Sequence, residues 1–213
     1  MDFIEDKLLS YIEKNTEEEP EVLKRLYRET YAKILVPRMI AGHYQGRVIS
    51  MLSKMIKPKQ ILEIGTYTGY SAICWAEGLI EGGMVHSIDI NEEIKDMVDR
   101  YVEEAGLRNS VVQYIGEAMA IIPQIDEIFD IVYIDADKEN YSNYFDLVID
   151  KVQPGGYIIA DNVLWSGKVL DGANSMDEDT KALVAYSEKI REDDRVENFM
   201  LPIRDGLLVA RKK

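Results

Sequence analysis

The sequence predicts an α/β protein with a doubly wound, seven-stranded, mostly parallel sheet, whose last strand is antiparallel, preceded by N-terminal helices. Short apolar runs alternate with stretches of helical periodicity, which is typical of crossover units and a parallel sheet. The last two runs are too close in sequence for a crossover, so we expect them to pair antiparallel. The predicted strands are residues 60–64, 84–88, 111–115, 129–134, 157–160, 196–201 and 206–210.

Helical periodicity defines the segment before the first strand and most connections between strands. Leu8, Leu9 and Ile12, for example, fall on one face of a helix. The predicted helices are residues 3–15, 21–35, 45–56, 71–79, 92–105, 118–125, 140–152 and 178–191. No repeat or linker divides the chain, so we expect a single domain over 1–213, with 1–57 as a helical extension packed on it.

The composition is that of a globular protein, with 46% hydrophobic and 30% charged residues. No run approaches the roughly 18 apolar residues of a membrane helix, and the acidic start at 1–7 is unlike a signal peptide. The single cysteine, Cys74, cannot form an internal disulfide, which fits a reducing compartment. We therefore expect a cytoplasmic protein with no membrane partner.

The formal net charge of −14 disfavours polyanionic partners such as nucleic acids. A basic stretch near the N-terminus is the exception, and it consists of Lys24, Arg25, Arg28, Lys33 and Arg38. Because Glu21 and Glu29 are interleaved with these residues, we interpret the stretch as a solvated helix face.

A glycine loop follows the first predicted strand with the pattern Glu63-x-Gly65-x-x-x-Gly69. Gly65 allows a ligand to approach the backbone, Gly69 allows a tight turn into the next helix, and Ser71 offers a hydroxyl at the helix start. The spacing differs from the dinucleotide-binding pattern Gly-x-Gly-x-x-Gly. A carboxylate beside the loop suits a ligand with an amino or sulfonium cation. Asp89 ends the second strand, where an acidic residue accepts hydrogen bonds from ribose hydroxyls.

Oxygen ligands gather at the ends of two later strands. Asp135 ends the fourth predicted strand, and Asp161 and Asn162 end the fifth. If these strands are neighbours, two carboxylates and one amide oxygen meet, which suits a hard cation such as Mg²⁺, Mn²⁺ or Ca²⁺. Lys138, one turn beyond Asp135, is a candidate general base or oxyanion stabiliser.

These motifs taken together resemble the cation-dependent, caffeoyl-CoA-type O-methyltransferase family of the class I, Rossmann-like methyltransferases. The resemblance rests on the glycine loop, Asp89, the run Asp-Ala-Asp-Lys-Glu-Asn-Tyr at 135–141 and the run Asp-Asn-Val-Leu-Trp at 161–165, and it extends from about residue 36 to 210. It implies methyl transfer from S-adenosylmethionine to a hydroxyl of a small catechol-like acceptor, a divalent cation and a homodimer.

The resemblance also implies roles for individual residues. The implied cofactor contacts are Ala41, Glu63, Gly65, Thr66, Ser71, Asp89, Ala118, Asp135, Asp137 and Tyr144. The implied metal ligands are Asp135, Asp161 and Asn162, and the implied catalytic residues are Asp135 and Lys138. Ser166 lies where the plant enzymes have an Asn that contacts the acceptor. The segment 39–46 also differs from the plant pattern. Both differences affect which acceptor is expected, and not the type of reaction. Trp165 is either a wall of the acceptor pocket or a core residue.

Three other functions are compatible with parts of the sequence. Some bacterial relatives methylate a hydroxylated uridine in transfer RNA, which the acidic balance disfavours. A nicotinamide-dependent oxidoreductase would need the missing Gly-x-Gly-x-x-Gly pattern. A non-catalytic cofactor-binding protein would not need the set formed by Asp135, Lys138, Asp161 and Asn162, which is intact.

Overall fold

The structure, a computed structural model, describes residues 4–172 and 174–213, except for the side chain of Asp6. The chain divides into two compact units, Asp6–Ala118 and Met119–Lys213, and Ile4 and Glu5 group with the second. Residue 3 of the predicted helix over 3–15, and the first three residues of the segment 1–7, lie outside the described residues. The expectation of a single domain with a packed extension stays a prediction.

The N-terminal unit begins with helices, as its periodicity predicts, and continues into parallel strands. Strands β1, β2 and β3 lie in the order β3-β2-β1, with both pairs parallel. Its elements are α1 (Asp6–Lys14), α2 (Glu21–Lys33), α3 (Gly42–Ile56), β1 (Gln60–Ile64), α4 (Tyr70–Ala76), β2 (Met84–Asp89), α5 (Lys95–Glu104) and β3 (Val111–Ile115). The short helix α6 (Ala118–Ile121) starts at the last residue of this unit.

The C-terminal unit holds the remaining strands in the order β4-β5-β7-β6. Strands β4 and β5 are parallel, whereas β7 is antiparallel to both β5 and β6. Its elements are β4 (Phe129–Ile134), α7 (Tyr141–Val148), β5 (Val152–Asp161), α8 (Glu178–Glu192), β6 (Val196–Leu201) and β7 (Leu207–Lys212). The predicted fold class, a mostly parallel seven-stranded α/β sheet with a reversed last strand, is confirmed.

The largest error in the sequence-based assignment concerns the start of β5. We predicted a helix to residue 152 and a strand from 157. Helix α7 ends at Val148 and a 3-10 turn continues over Ile149–Lys151, so the helical prediction nearly holds, but β5 already begins at Val152. The Pro-Gly-Gly sequence at 154–156 lies inside the strand, where it forms an irregularity in the pairing with β4. Gly155 has a φ of 84°, so it supplies the left-handed backbone that lets extra residues bulge from the ladder.

Helix α2 carries four of the five residues of the basic stretch, Lys24, Arg25, Arg28 and Lys33, outside its buried stripe. Its buried stripe consists of Leu23, Leu26 and Thr30, at helical spacing, so the charged side chains lie on the other face. These basic side chains pair with acids, in the ion pairs Lys24–Glu18, Arg25–Glu104, Arg28–Glu21 and Lys33–Glu29. Four of the five basic residues therefore have an acidic partner, in agreement with the interpretation as a solvated helix face.

Two further sequence-based expectations concern membranes and the cysteine. Over residues 4–172 and 174–213, no helix combines the length and apolar character needed to cross a membrane. Cys74 lies buried in α4, and burial raises the pKa of its thiol, so it behaves as a small core residue.

An ion-pair cluster joins α3 to the residue that follows α4. The Arg47 guanidinium donates to both carboxylate oxygens of Glu77, at 2.9 and 2.7 Å. Ser50 and Lys54 also donate to Glu77, at 2.7 and 3.0 Å. Burial raises the pKa of Glu77, but the hydrogen bonds from Arg47, Ser50 and Lys54 outweigh it and bring the pKa to about 2.

We expect Glu77→Gln to lower the free energy of unfolding by about 2 kcal/mol at pH 7, because it removes the charge that three donors share. The folded-state pKa near 2 lies below the ordinary value of 4.5, so this stabilisation is present above pH 4.5 and disappears as the pH falls towards 2. Urea unfolding at several pH values measures the difference. Glu81→Gln, at an exposed position, is the control. A difference that stays constant from pH 6 to pH 2.5 would contradict this explanation.

Candidate active site

The glycine loop follows β1 directly and needs its glycines for steric reasons. The amides of Gly65 and Thr66 both donate to the carbonyl of Ile88 in β2, at 2.9 and 3.2 Å, which ties the loop to the neighbouring strand. Gly65 and Gly69 have φ values of 103° and 83°, where side chains are strained. A Cβ at Gly69 would also lie only 3.0 Å from Val98 Cγ1. The loop therefore has the open backbone that the sequence predicts.

A chain of hydrogen bonds holds the loop to the carboxylate of Glu63. Thr66 Oγ1 lies 2.6 Å from Ser87 Oγ, and Ser87 donates to Glu63 Oε2. All three side chains are buried. Glu63 and Ser87 are register partners in the parallel pair β1–β2. The sequence-based analysis missed Ser87, because a serine inside an apolar strand gives no signal until the register is known.

Asp89 lies at the end of β2 with its carboxylate oriented by two backbone amides. Tyr67 N donates to Oδ2 at 2.6 Å, and Asn91 N donates to Oδ1 at 2.8 Å. Each carboxylate oxygen has two lone pairs, so both can still accept a further hydrogen bond. Asp89 is half-buried, and it can therefore accept hydrogen bonds from a ligand that approaches the loop.

The other predicted cofactor contacts of the N-terminal unit lie at helix starts. Ser71 is in the first turn of α4 and is buried. Ala41 immediately precedes α3, and Ala118 is the first residue of α6. Their contacts with a cofactor stay predictions.

In the C-terminal unit, the ammonium group of Lys138 lies among three oxygen atoms. Lys138 Nζ donates to Asn162 Oδ1 at 2.8 Å, to Asp135 Oδ1 at 3.2 Å and to the Tyr141 hydroxyl at 2.6 Å. Lys138 is only 8% exposed. An ammonium group has three donors, so these contacts use its full capacity. The parallel pairing of β4 with β5 is what brings Asp135 close to Asn162, as the sequence-based analysis expected.

Asp161 is the most buried acid of this cluster. Its carboxylate accepts from the Tyr133 hydroxyl at 2.7 Å and from the amide of Asn162 at 2.6 Å, and its carbonyl accepts from Tyr141 at 3.1 Å. Burial and then the negative charge of Asp135 raise the pKa of Asp161 to about 6. Two carboxylates that destabilise each other's charge favour the presence of a cation. The analysis of the sequence assigned no role to Tyr133 or Tyr141, although Tyr141 ends the motif at 135–141.

The donor set of this cluster differs from an all-acid metal centre. Within the described part of the chain, no group of three or more His, Cys, Asp or Glu side chains could hold a metal ion. The predicted ligands are two carboxylates and one amide, so the roles of Asp135, Asp161 and Asn162 as metal ligands stay predictions.

Asp137 and Tyr144, two more predicted cofactor contacts, bind each other. The Tyr144 hydroxyl donates to Asp137 Oδ1 at 2.5 Å, and Asn140 Nδ2 donates to Oδ2 at 2.5 Å. The structure therefore brings this predicted pair together and fixes the orientation of the Asp137 carboxylate.

The loop after β5 carries the two predicted acceptor contacts in an unusual backbone conformation. Asn162, Trp165 and Ser166 have φ values of 60°, 43° and 53°, which are uncommon for residues with side chains. The amide and hydroxyl of Ser166 donate to Asp205 Oδ1 at 2.9 and 3.2 Å, which holds the loop. Trp165 is half-buried, with Lys138 Nζ 5.7 Å from its ring centroid. Trp165 thus borders the lysine cluster, and both acceptor contacts stay predictions.

Comparison with known proteins identifies the family. A sequence model of the O-methyltransferase family matches residues 13–213. The chain is 36% identical to caffeoyl-CoA O-methyltransferase 2 of Eucalyptus globulus over 91% of this chain and 83% of the relative. It is 35% identical to caffeoyl-CoA O-methyltransferase of Petroselinum crispum, over 91% of this chain and 85% of the relative.

Solved structures agree with the sequence comparison. An O-methyltransferase from Bacillus cereus in complex with SAH superimposes with a TM-score of 0.88 at 31% identity, over 96% of both chains. The O-methyltransferase TomG of Streptomyces achromogenes, in complex with SAM, gives 0.88 at 25% identity, over 96% of this chain and 95% of that one. These relatives favour methyl transfer over nicotinamide-dependent oxidoreduction. The chain belongs to the O-methyltransferase family and is an S-adenosylmethionine-dependent O-methyltransferase.

Proposed function

We propose that this enzyme methylates a hydroxyl of a small catechol-like acceptor, with the aid of a divalent cation held by Asp135, Asp161 and Asn162. The observation that carries the proposal is the group of oxygen atoms around the Lys138 ammonium, because this group already stabilises a positive charge. The two plant relatives are named for caffeoyl-CoA, and we propose an acceptor of the same class for this enzyme.

The residues of the cluster fit a hard cation in number and in chemistry. Carboxylate and amide oxygens are the ligands that Mg²⁺, Mn²⁺ and Ca²⁺ prefer. The Tyr133 hydroxyl and the Asn162 amide each donate to a different carboxylate oxygen of Asp161, which fixes the orientation of this proposed ligand. A cation would also relieve the destabilisation that burial and Asp135 impose on the charged form of Asp161. When bound, the metal supplies Lewis acidity that favours an ionised acceptor hydroxyl at neutral pH.

Lys138 suits the stabilisation of a negative oxygen better than the removal of a proton. Its three hydrogen bonds to Asp135, Tyr141 and Asn162 are those of a charged ammonium, which has no lone pair to accept a proton. As a base, Lys138 would first have to give a proton to solvent and lose one of these bonds. Once a bound cation displaces it from Asp135 or Asn162, the ammonium has a donor for the acceptor oxygen that attacks the methyl group.

The methyl donor is proposed to lie on the glycine loop and on Asp89. The carboxylate of Asp89 would accept hydrogen bonds from the ribose hydroxyls, as acids at this strand end do in nucleotide-binding folds. The remaining proposed contacts are Ala41, Glu63, Gly65, Thr66, Ser71, Ala118, Asp135, Asp137 and Tyr144. Transfer forms the bond between acceptor oxygen and methyl carbon, breaks the bond between that carbon and sulfur, and releases S-adenosylhomocysteine. The homodimer and the cytoplasmic location stay predictions.

The proposed function is tested by transfer of labelled methyl from S-adenosylmethionine to caffeic acid and to its coenzyme A thioester. With Mg²⁺ or Mn²⁺ we expect methylated product, and with excess chelator at least about 100-fold less, because the loss of the cation removes about 3 kcal/mol of stabilisation. Asp161→Asn should lose activity to a similar extent. Asp146→Asn, at an exposed acid paired with Lys189, should keep it.

Three results would contradict parts of this proposal. Activity that persists with excess chelator would show that the reaction does not need a cation. Tight binding of S-adenosylhomocysteine without methylation of any catechol would show that the acceptor is not a catechol. Methylation of undermodified transfer RNA instead would favour the RNA substrate, which the paired basic residues of α2 do not support.

Replacement of Lys138 should change metal binding and catalysis in opposite directions. A cation that binds Asp135 and Asn162 must displace the ammonium from the same oxygens. We therefore expect Lys138→Met to bind Mn²⁺ about tenfold more tightly, measured by electron paramagnetic resonance of free Mn²⁺. The same variant should lose about 100-fold or more in kcat. Lys181→Met, at an exposed lysine, should change neither quantity. Weaker Mn²⁺ binding in Lys138→Met would show that Lys138 does not compete with the cation.

The contact to the ribose is tested by Asp89→Ala. Loss of a charged acceptor at the ribose should weaken S-adenosylhomocysteine binding about tenfold or more in isothermal titration calorimetry. The control is Asp99→Ala, which removes the same charge from a half-exposed acid on α5. Equal affinities for the Asp89 variant and the control would place the ribose elsewhere.

A further inference from the structure

Three buried polar side chains connect β1, the glycine loop and β2. Glu63 and Ser87 are fully buried, and Thr66 is 1% exposed. Ser87 Oγ lies between the other two, in hydrogen-bond contact with Glu63 Oε2 and 2.6 Å from Thr66 Oγ1. Ser87 has no role in the site as predicted from the sequence, and its hydroxyl contacts both partners directly.

Hydrogen-bond chemistry fixes the direction of this chain. An ionised carboxylate accepts and cannot donate, so Ser87 gives its single proton to Glu63. The Ser87 oxygen must then accept, which makes Thr66 the donor in the contact between the two hydroxyls. Ser87 therefore orients the Glu63 carboxylate on one side and holds the loop residue Thr66 on the other.

The charge of Glu63 matches one end of the methyl donor. S-adenosylmethionine has a cationic ammonium in its amino-acid part and neutral hydroxyls on its ribose. Asp89 has the position suited to the ribose, whereas Glu63 lies two residues before Gly65, next to the last residue of β1, as an acid that suits a cation. A charge-assisted hydrogen bond depends strongly on the orientation of its acceptor.

We infer that Ser87 is a positioning residue for the amino-acid end of S-adenosylmethionine, because it orients the Glu63 carboxylate that receives the cofactor's ammonium. The inference rests on the proposed role of Glu63 as a cofactor contact. It predicts a selective effect: loss of the Ser87 hydroxyl weakens binding of the amino-acid part and leaves binding of the adenosine part unchanged.

Two ligands separate these effects. S-adenosylhomocysteine carries the ammonium, whereas 5′-methylthioadenosine has the same adenosine and thioether but no amino-acid part. For Ser87→Ala we expect about tenfold weaker binding of S-adenosylhomocysteine and a change of less than twofold for 5′-methylthioadenosine, measured by calorimetry or by displacement. Because both are binding measurements, they do not depend on the acceptor or on the metal of the proposed function.

Three further variants complete the experiment. Glu63→Gln, which removes the charge, should show the same selective loss, and an unchanged affinity there would mean that Glu63 is not the cofactor contact. Ser53→Ala is the matched control, because the Ser53 hydroxyl is equally buried and donates to the carbonyl of Trp75 in α4. Ser87→Cys keeps a weak donor in a similar volume, so it supplies the measurement if Ser87→Ala does not fold.

The affinities of the two ligands for these variants decide whether Ser87 acts as inferred. A loss confined to S-adenosylhomocysteine, in Ser87→Ala or to a smaller extent in Ser87→Cys, supports the inference. Equal weakening of both ligands would mean that Ser87 only maintains the loop and overturns it. Unchanged binding of both ligands, with Glu63→Gln selective, would overturn it as well and leave the role of Glu63 intact.

Discussion

The compensation of buried negative charge by the Lys138 ammonium is the interaction on which the chemistry of the C-terminal unit depends. Asp161 is 3% exposed, and both burial and the nearby charge of Asp135 work against its ionised form. Lys138 brings a positive charge to Asp135 and Asn162, while Tyr133 and the Asn162 amide donate to Asp161. Because an unpaired buried carboxylate would be costly, these contacts lower the cost of burying Asp161.

In the N-terminal unit, the main constraint is the backbone conformation of the glycine loop, and uncharged backbone groups maintain it. Its loop needs a backbone that can come close to a ligand, and Gly65 and Gly69 provide it through conformations that other residues avoid. Hydrogen bonds then hold this open backbone. The Ile88 carbonyl accepts hydrogen bonds from two loop amides, and the Asp89 carboxylate accepts a third from the amide of Tyr67. These hydrogen bonds form without a ligand, and such preorganisation lowers the entropic cost of binding. The acids beside it match a ligand with a ribose and a cation.

The sequence predicted the features that depend on local pattern. Strands such as Gln60–Ile64 and Phe129–Ile134 were predicted with their observed bounds, since apolar residues dominate both segments. The meeting of Asp135 with Asn162 followed from the rule that parallel neighbouring strands end at one edge. The start of β5 was wrong, because a Pro-Gly-Gly sequence predicts a turn and the bulge that absorbs it depends on pairing with β4.

The features that were missed depend on register and on side-chain direction. Ser87 pairs with Glu63 only because β1 and β2 align residue by residue, which no local pattern reveals. Tyr133 and Tyr141 resemble ordinary core aromatics in the sequence, and only their hydroxyl contacts with Asp161 and Lys138 show a polar role. The polar partners of a site are thus harder to predict than its charged residues, because buried hydroxyls are common in apolar segments.

Anomalous diffraction from crystals prepared with and without Mn²⁺ tests the central claim most directly. The account predicts a manganese peak bound by oxygens of Asp135, Asp161 and Asn162, with the Lys138 ammonium moved out of hydrogen-bond distance of Asp135 and Asn162. Without manganese, Lys138 should remain on those oxygens, as in the present structure. A manganese peak at other residues, or Lys138 contacts that are identical in both crystals, would contradict the account.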